Sequence, residues 1–89
     1  MADESAPVEV TVRYFAAAQT AAGLESEIVP VTAGNTVADL TAILAKRSTK
    51  MATVLDRCCY LRNGFAVQDD TAVLSAGDTV DVLPPFAGG

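Results

Sequence analysis

The strict alternation of apolar and polar residues at positions 8–15 constrains the fold of this chain more than any other feature. The apolar positions all fall on one face of an extended segment: Val8, Val10, Val12 and Tyr14. A second alternating segment, 79–83, lies at the other end of the chain, with Val80 and Val82 facing inward. Such segments form half-buried strands, so the pattern predicts a domain that begins and ends with strands.

The residues that follow the first strand predict a short helix and an edge strand. Residues 16–22 are rich in alanine and are followed by Gly23, which favours about two helical turns that end at a left-handed glycine. Residues 25–31 predict the second strand. Pro30 cannot donate a ladder hydrogen bond, so this strand is expected at the edge of a sheet.

The middle of the chain predicts the main helix. Thr36 and Asp39 have the spacing of a capping box, and an apolar stripe then continues to about Arg47. A second, shorter helix follows the break at 48–49. The cations near the end of the main helix, Lys46, Arg47 and Lys50, suit the helix dipole. Two tight turns are expected after the helices, at Asn63-Gly64 and at 76–78.

This order of elements predicts an α+β domain in which one main helix covers one face of a mixed sheet. The first and last strands then lie side by side. A length of 89 residues allows only one domain. We expect a flexible leader at 1–7, the folded domain at 8–83 and an extended tail at 84–89.

Charge and hydropathy exclude several classes of partner. Six basic residues stand against eleven acidic ones, for a net charge of −5. Nucleic-acid binding requires clustered Lys and Arg, so an acidic chain argues against it and favours a basic protein partner. No apolar run approaches the roughly 20 residues that span a bilayer. The acidic start of the sequence is unlike a signal peptide. The two cysteines are adjacent and do not make a disulfide framework, so a reducing, cytoplasmic setting is expected.

The titratable and nucleophilic residues argue against an active site of the chain's own. The sequence has no His and no glycine-rich phosphate-binding motif, which excludes the common catalytic triads and nucleotide sites. Cys58 and Cys59 are too few for a zinc site, and we expect them to be buried small hydrophobes. A redox or sulfur-relay thiol is the alternative, and it requires an exposed site. Asp69 and Asp70 are expected in a polar turn rather than a metal site.

The carboxyl-terminal residues are the most unusual feature of the sequence. Pro84 and Pro85 favour an extended arm of six residues, which reaches on the order of 20 Å. Phe86 supplies an apolar anchor on this arm. Gly88 and Gly89 carry no side chain, so a terminal carboxylate there fits a narrow channel in another protein.

An exposed apolar patch is expected at the root of this tail. By alternation, Phe15 and Leu83 face outward from the first and last strands. If these strands are neighbours, the two side chains are adjacent, and Phe65 or Ala66 joins them. Exposed apolar patches of this kind mark protein interfaces. The alternative is that a bulge or a covering helix removes the patch.

Several motifs together resemble the MoaD/ThiS family of sulfur carriers. They are Val-Arg-Tyr-Phe-Ala-Ala-Ala at 12–18, Thr-Val-Ala-Asp-Leu at 36–40, Asn-Gly at 63–64, Ala-Gly-Asp at 76–78 and Val-Asp-Val-Leu-Pro-Pro-Phe-Ala-Gly-Gly at 80–89. The Pro-Pro-x-x-Gly-Gly ending is typical of the small subunits of molybdopterin synthase. The resemblance implies a β-grasp, ubiquitin-like fold.

The resemblance also implies a function. It implies that Gly89 is adenylated and converted to a thiocarboxylate, which then donates sulfur to cyclic pyranopterin monophosphate to form the dithiolene of molybdopterin. It also implies that ATP and Mg²⁺ belong to the activating enzyme and that this chain binds no cofactor or metal. The implied partners are the large synthase subunit in a heterotetramer, a ubiquitin-activating-type adenylyltransferase and a sulfur donor protein. The tail residues that enter the large subunit are Pro84, Pro85, Phe86, Ala87 and Gly88. The interface residues are Phe15, Ala66 and Leu83, with Phe65 beside them.

Three other functions remain open at the level of sequence. The chain could carry sulfur for another pathway, such as thiazole or cysteine synthesis. It could be a ubiquitin-like modifier that forms isopeptide bonds with lysines. It could also be a plain interaction domain with an inert tail.

Overall fold

The fold is that of a mixed sheet with helices on one side. The structure is a computed structural model that describes residues 7–69 and 71–85, and within these ranges it contains one five-stranded sheet and three helices. The strands are β1 (Pro7–Tyr14), β2 (Ser26–Thr32), β3 (Cys59–Arg62), β4 (Phe65–Ala66) and β5 (Thr79–Leu83). The helices are α1 (Ala17–Ala22), α2 (Val37–Ala45) and α3 (Thr49–Leu55). The predicted α+β class is confirmed.

The order of strands in the sheet is β2-β1-β5-β3-β4. The first and last strands lie side by side and parallel, with Val12 opposite Val80 and Tyr14 opposite Val82. The other neighbouring strands pair antiparallel. Strand β2 lies at an edge, as Pro30 predicted, although it begins one residue later than expected. Strand β1 begins at Pro7, which the sequence had placed in the leader.

One hydrophobic core lies between the sheet and the helices. The inward residues of β1 and β5 pack with the buried residues of α2 and α3, including Leu40, Leu44 and Met51. Val10, Val12, Val80 and Val82 are fully buried. Because the helices pack on this inner face, the alternate residues of β1 and β5 lie on the opposite face, which we call the outer face.

Local capping signals explain where the helices begin and end. Thr36 accepts a hydrogen bond from the Asp39 backbone, and the Asp39 carboxylate accepts one from the Thr36 backbone, so the capping box is confirmed. Helix α1 ends at Gly23, whose φ of 81° is left-handed, as expected. Helix α2 ends at Ala45, two residues earlier than the apolar stripe suggested.

Arg47 contributes to packing beyond its expected effect on the helix dipole. Its guanidinium bonds to the carboxylate of Glu27 in β2, and that carboxylate also accepts a hydrogen bond of 2.6 Å from the Tyr14 hydroxyl. Burial opposes ionisation of Glu27, but the bonds from Arg47 and Tyr14 outweigh it and lower the pKa of Glu27. The group ties the end of α2 to the sheet.

The hairpin between β3 and β4 turns at Asn63 and Gly64, as predicted. Both residues have positive φ, of 51° and 89°, as a type I′ turn requires. Among the described residues, no helix is long and apolar enough to cross a membrane.

Candidate functional site

The exposed part of the outer face next to the end of β5 is the candidate functional site. Phe15 follows Tyr14 at the end of β1, and its backbone N–H donates to the Val82 carbonyl at 3.2 Å. It therefore lies beside Leu83, as the sequence predicted. The Phe15 side chain is 37% exposed, and Leu83 is half-buried.

Strands β3 and β4 extend this surface. Cys59 pairs with Leu83, Leu61 pairs with Asp81, and Ala66 pairs with Leu61. Residues that pair directly across a sheet point to the same face. The outer face therefore carries a group of apolar residues that we call the outer patch: Phe15, Cys59, Leu61, Ala66 and Leu83. Leu61 and Cys59 were not predicted as interface residues, although their alternation with the inward Tyr60 indicates that they face outward.

The structure separates Phe65 from the other proposed interface residues. Phe65 pairs with Arg62, and Arg62 pairs with Val80, which is in the core. Phe65 is therefore on the helix side of the sheet, where it is 78% exposed beside an open cavity of about 500 Å³. Because adjacent strand residues point to opposite faces, only one of Phe65 and Ala66 can belong to the outer patch.

The two cysteines also lie on different faces, and the expectation that both are buried is wrong for Cys59. Cys58 is half-buried against the core, and its Sγ lies 3.2 Å from the Val54 carbonyl. Burial raises the pKa of the Cys58 thiol. Cys59 is the first residue of β3 and is exposed. Cys59 is exposed because it lies on the outer face of the sheet, and every helix within the described residues packs on the other face.

A charged pair occupies the middle of the outer face. The Arg13 Nε and Nη2 atoms donate to the two carboxylate oxygens of Asp81 at 2.6 and 2.8 Å. The guanidinium also lies 5.7 Å from the centre of the Phe15 ring. The hydrogen bonds and charge of Asp81 raise the pKa of Arg13, so this cation is permanent at any physiological pH.

The tail leaves the sheet beside the outer patch. Pro84 follows Leu83 and is buried, whereas Pro85 is exposed. The chain is therefore anchored at Pro84 and enters solvent at Pro85. The predicted reacting and channel residues, Phe86, Ala87, Gly88 and Gly89, lie outside the described residues.

Asp69 lies in a polar turn, as predicted. Asp69 accepts hydrogen bonds from the Thr71 backbone and hydroxyl at 2.9 and 2.5 Å, and these lower the pKa of Asp69. Asp70, which was predicted to share this turn, lies outside the described residues. Within the described part of the chain, no group of three or more Cys, Asp or Glu side chains is placed to hold a metal ion.

Comparison with known proteins assigns the family. The model of the ThiS family matches residues 12–89. Among solved structures, a putative molybdopterin converting factor, subunit 1, from Pyrococcus furiosus is 31% identical, with a TM-score of 0.80 over 89% of this chain and 99% of that one. SAMP1 from Haloferax volcanii is 27% identical, with a TM-score of 0.78 over 91% of this chain and 99% of that one.

A third structure shows a relative together with a second protein. It is the complex of subunits 1 and 2 of the molybdopterin-converting factor from Helicobacter pylori 26695. The matching chain is 26% identical, with a TM-score of 0.70 over 92% of this chain and 100% of that one. A comparison with curated protein sequences found no match. Since the family model matches most of the sequence and the relatives share its fold, the chain belongs to the ThiS family and has the ubiquitin-like β-grasp fold of the MoaD/ThiS sulfur carriers.

Proposed function

We propose that this protein is the small, sulfur-carrying subunit of a molybdopterin synthase, with Gly89 as the residue that carries the sulfur. The observation that carries the proposal is the position of the tail: β5 ends at the outer patch, and the Gly-Gly ending follows only a few residues later. A partner that covers the outer patch receives the tail at the same time. The chain then serves as both a docking module and a carrier.

Loading the tail requires an activating enzyme. A carboxylate is a poor electrophile, since it is anionic and has no good leaving group. The enzyme joins the Gly89 carboxylate to the α-phosphate of ATP, which releases pyrophosphate and forms an acyl-adenylate. Sulfide attacks the carbonyl carbon, AMP leaves with the C–O electron pair, and the thiocarboxylate forms directly. If the sulfur donor is a protein persulfide, the same attack forms an acyl disulfide. A second thiol of the donor then attacks the donor's own sulfur, which releases the thiocarboxylate and leaves a disulfide on the donor. ATP and Mg²⁺ act in that enzyme, and this chain contributes only the tail.

Delivery depends on the geometry at the end of β5. The buried Pro84 fixes the point at which the tail leaves the domain. The four residues after Pro85 extend by at most about 14 Å. The thiocarboxylate of Gly89 therefore acts close to the edge of the interface. The large subunit supplies the groups that bind the pterin phosphate, because this chain carries a net charge of −5.

The Helicobacter pylori complex supports a large-subunit partner, since it contains subunit 1 together with subunit 2 of a molybdopterin-converting factor. The 31% identity to the Pyrococcus furiosus subunit 1 supports the same pathway. We place this reaction in the cytoplasm, where reducing conditions preserve the thiocarboxylate and the free thiol of Cys59.

A protein modifier is the second candidate function, and the similarity to SAMP1, a small archaeal modifier protein, favours it. Both functions begin with the same acyl-adenylate. In a modifier, a lysine amine attacks the activated Gly89 and an isopeptide bond forms. In the carrier, a sulfur nucleophile attacks the activated Gly89 instead, and the chain is not joined to another protein.

Intact-mass measurement distinguishes these functions. The purified chain is incubated with ATP, Mg²⁺, sulfide and its activating enzyme, and the large subunit is then added with cyclic pyranopterin monophosphate. We expect one oxygen-to-sulfur exchange in the carboxyl-terminal peptide, which is lost when the large subunit and the pterin are present. Loading without discharge would indicate another sulfur pathway. Conjugates of higher mass, with no exchange, would indicate a modifier.

Phe15→Ala is expected to weaken binding of the large subunit by at least tenfold. Phe15 is the largest side chain of the outer patch, and aromatic residues in the centre of an interface carry much of its binding energy. The dissociation constant is measured by calorimetry. Ile28→Ala is the matched control, because Ile28 is 62% exposed on the same face but lies opposite Thr11, away from the tail. Equal affinities for wild type and Phe15→Ala would contradict the proposed docking face.

A further inference from the structure

The polar pair in the middle of the outer face imposes a chemical condition on any partner that covers it. Arg13 is 51% exposed, whereas its partner Asp81 is 8% exposed. A guanidinium has five N–H donors, and Asp81 accepts two of them, one from Nε and one from Nη2. Within residues 7–69 and 71–85, Asp81 is the only acceptor that Arg13 contacts. Among the described residues, the other three donors have no protein acceptor, so a partner that covers Arg13 must replace the water around them with acceptors of its own.

The position of the guanidinium is fixed from two sides. Asp81 holds it in a two-bond fork, and the Phe15 ring lies beneath it at 5.7 Å. Such a fork restricts an arginine side chain far more than a single bond does. Because β1 and β5 pair directly at Arg13 and Asp81, the sheet itself sets this geometry.

A partner that buries Arg13 without acceptors leaves charged donors unpaired, which is strongly unfavourable. The acceptor that fits best is a neutral carbonyl oxygen. Asp81 already neutralises the guanidinium, and a second carboxylate would lie within the width of one guanidinium from Asp81. The repulsion between these two carboxylates, on a chain of net charge −5, disfavours an acidic partner group.

We propose that Arg13 is the specificity-determining residue of the outer face, and that it selects partners which present carbonyl oxygens to its three remaining N–H donors. Asp81 is a positioning residue, which acts by holding Arg13. The inference deepens the proposed function and rests on it, since it takes the large synthase subunit as the partner. The hydrophobic patch supplies the contact area, and Arg13 rejects apolar or acidic surfaces of similar shape.

Binding of the full chain to the large subunit of molybdopterin synthase tests this proposal by calorimetry. Arg13→Lys keeps the charge and the aliphatic stem but loses the planar fork, so we expect the dissociation constant to rise about tenfold with an unchanged melting temperature. Asp81→Asn is expected to weaken binding several-fold. The double variant is expected to bind no more weakly than Arg13→Lys, because Asp81 acts through Arg13.

The outcomes separate this inference from the proposed function. If Arg13→Lys binds like wild type while Phe15→Ala binds weakly, the docking face stands and the role of Arg13 is overturned. If the two single effects add, the positioning role of Asp81 is overturned. Arg13→Gln removes the charge. If the effect of Arg13→Gln on the dissociation constant falls steeply as NaCl is raised, the acceptor is a carboxylate and the carbonyl assignment is wrong.

Alkylation of Cys59 reports on the docking itself. Cys59 belongs to the outer patch and is exposed, whereas Cys58 is half-buried and serves as the internal control. We expect the large subunit to slow alkylation of Cys59 by iodoacetamide. If the wild-type chain neither binds nor protects Cys59, the proposed function and this inference fail together.

Discussion

Removal of Gly89 is expected to lower the rate of sulfur transfer by more than a hundredfold without changing the melting temperature. The shortened chain still ends in a glycine carboxylate, so the chemistry of the terminal group is unchanged. Its position changes by about 3.4 Å along an extended tail. An error of about 1 Å in the position of a reacting group costs on the order of a hundredfold in rate. We expect stability to be unaffected, because a glycine has no side chain to bury in the core.

The measurement compares thiocarboxylate formation and dithiolene product for the two chains. A chain that lacks Ala2 is the matched control, since it also loses one residue but keeps the carboxyl-terminal tail. This control is expected to load and discharge sulfur at the wild-type rate. Full transfer by the chain without Gly89 would show that the position of the terminal carboxylate does not matter, and the proposed function would then be wrong.

The largest effect on stability is expected for Asp78→Ala. Asp78 is 7% exposed and accepts hydrogen bonds from the Ser75 backbone at 2.8 Å, Arg62 Nε at 2.9 Å and Asn63 Nδ2 at 3.0 Å. It joins the β3–β4 hairpin to the turn before β5. Alanine leaves these donors without an acceptor, so we expect a loss of about 3 kcal/mol and a fall in Tm of roughly 15 °C. Asp56→Ala is the control, because Asp56 is exposed.

The effect of Asp78→Ala is also expected to depend on pH. Burial opposes ionisation of Asp78, but the bonds from Ser75, Asn63 and Arg62 outweigh it and lower the pKa of Asp78 below the usual value of 3.8. A carboxyl whose pKa is lower in the folded state contributes its full stabilisation of the fold at any pH above its unfolded pKa. This contribution is lost as the pH falls through the folded pKa. The difference in unfolding free energy between wild type and Asp78→Ala should therefore be constant near neutral pH and narrow below about pH 4. A difference that stays constant down to pH 2 would contradict this role.

Most of the local structure follows from short-range patterns that are visible in the sequence. Thr36 and Asp39 lie three residues apart, so their capping box forms without help from distant residues. Asn63 and Gly64 adopt the positive φ angles of a tight hairpin for equally local reasons. Pro30 excludes a central strand because it has no N–H to donate. Alternation in β1 placed Phe15 on the outer face in the same way.

The composition of the outer patch depended on pairing between distant strands. Phe65 and Ala66 are neighbours in sequence, and only the register of β3 against β4 and β5 decides which of them faces outward. Cys59 was expected to be buried because of its residue type, but its position opposite Leu83 places it on the exposed face. The Gly-Gly tail, by contrast, was evident from the sequence, and the match of the ThiS family model extends through it.

The sequence by itself determined most of the strand and helix segments, the inward faces of β1 and β5, the turns and the family, because each depends on residues a few positions apart or on a motif. Only the tertiary structure decided that Arg13 is clamped by Asp81, 68 positions away, and that Tyr14, Glu27 and Arg47 join three elements. Polar side chains pair according to which backbone positions the sheet brings together, and that register results from packing the whole core rather than from any local preference.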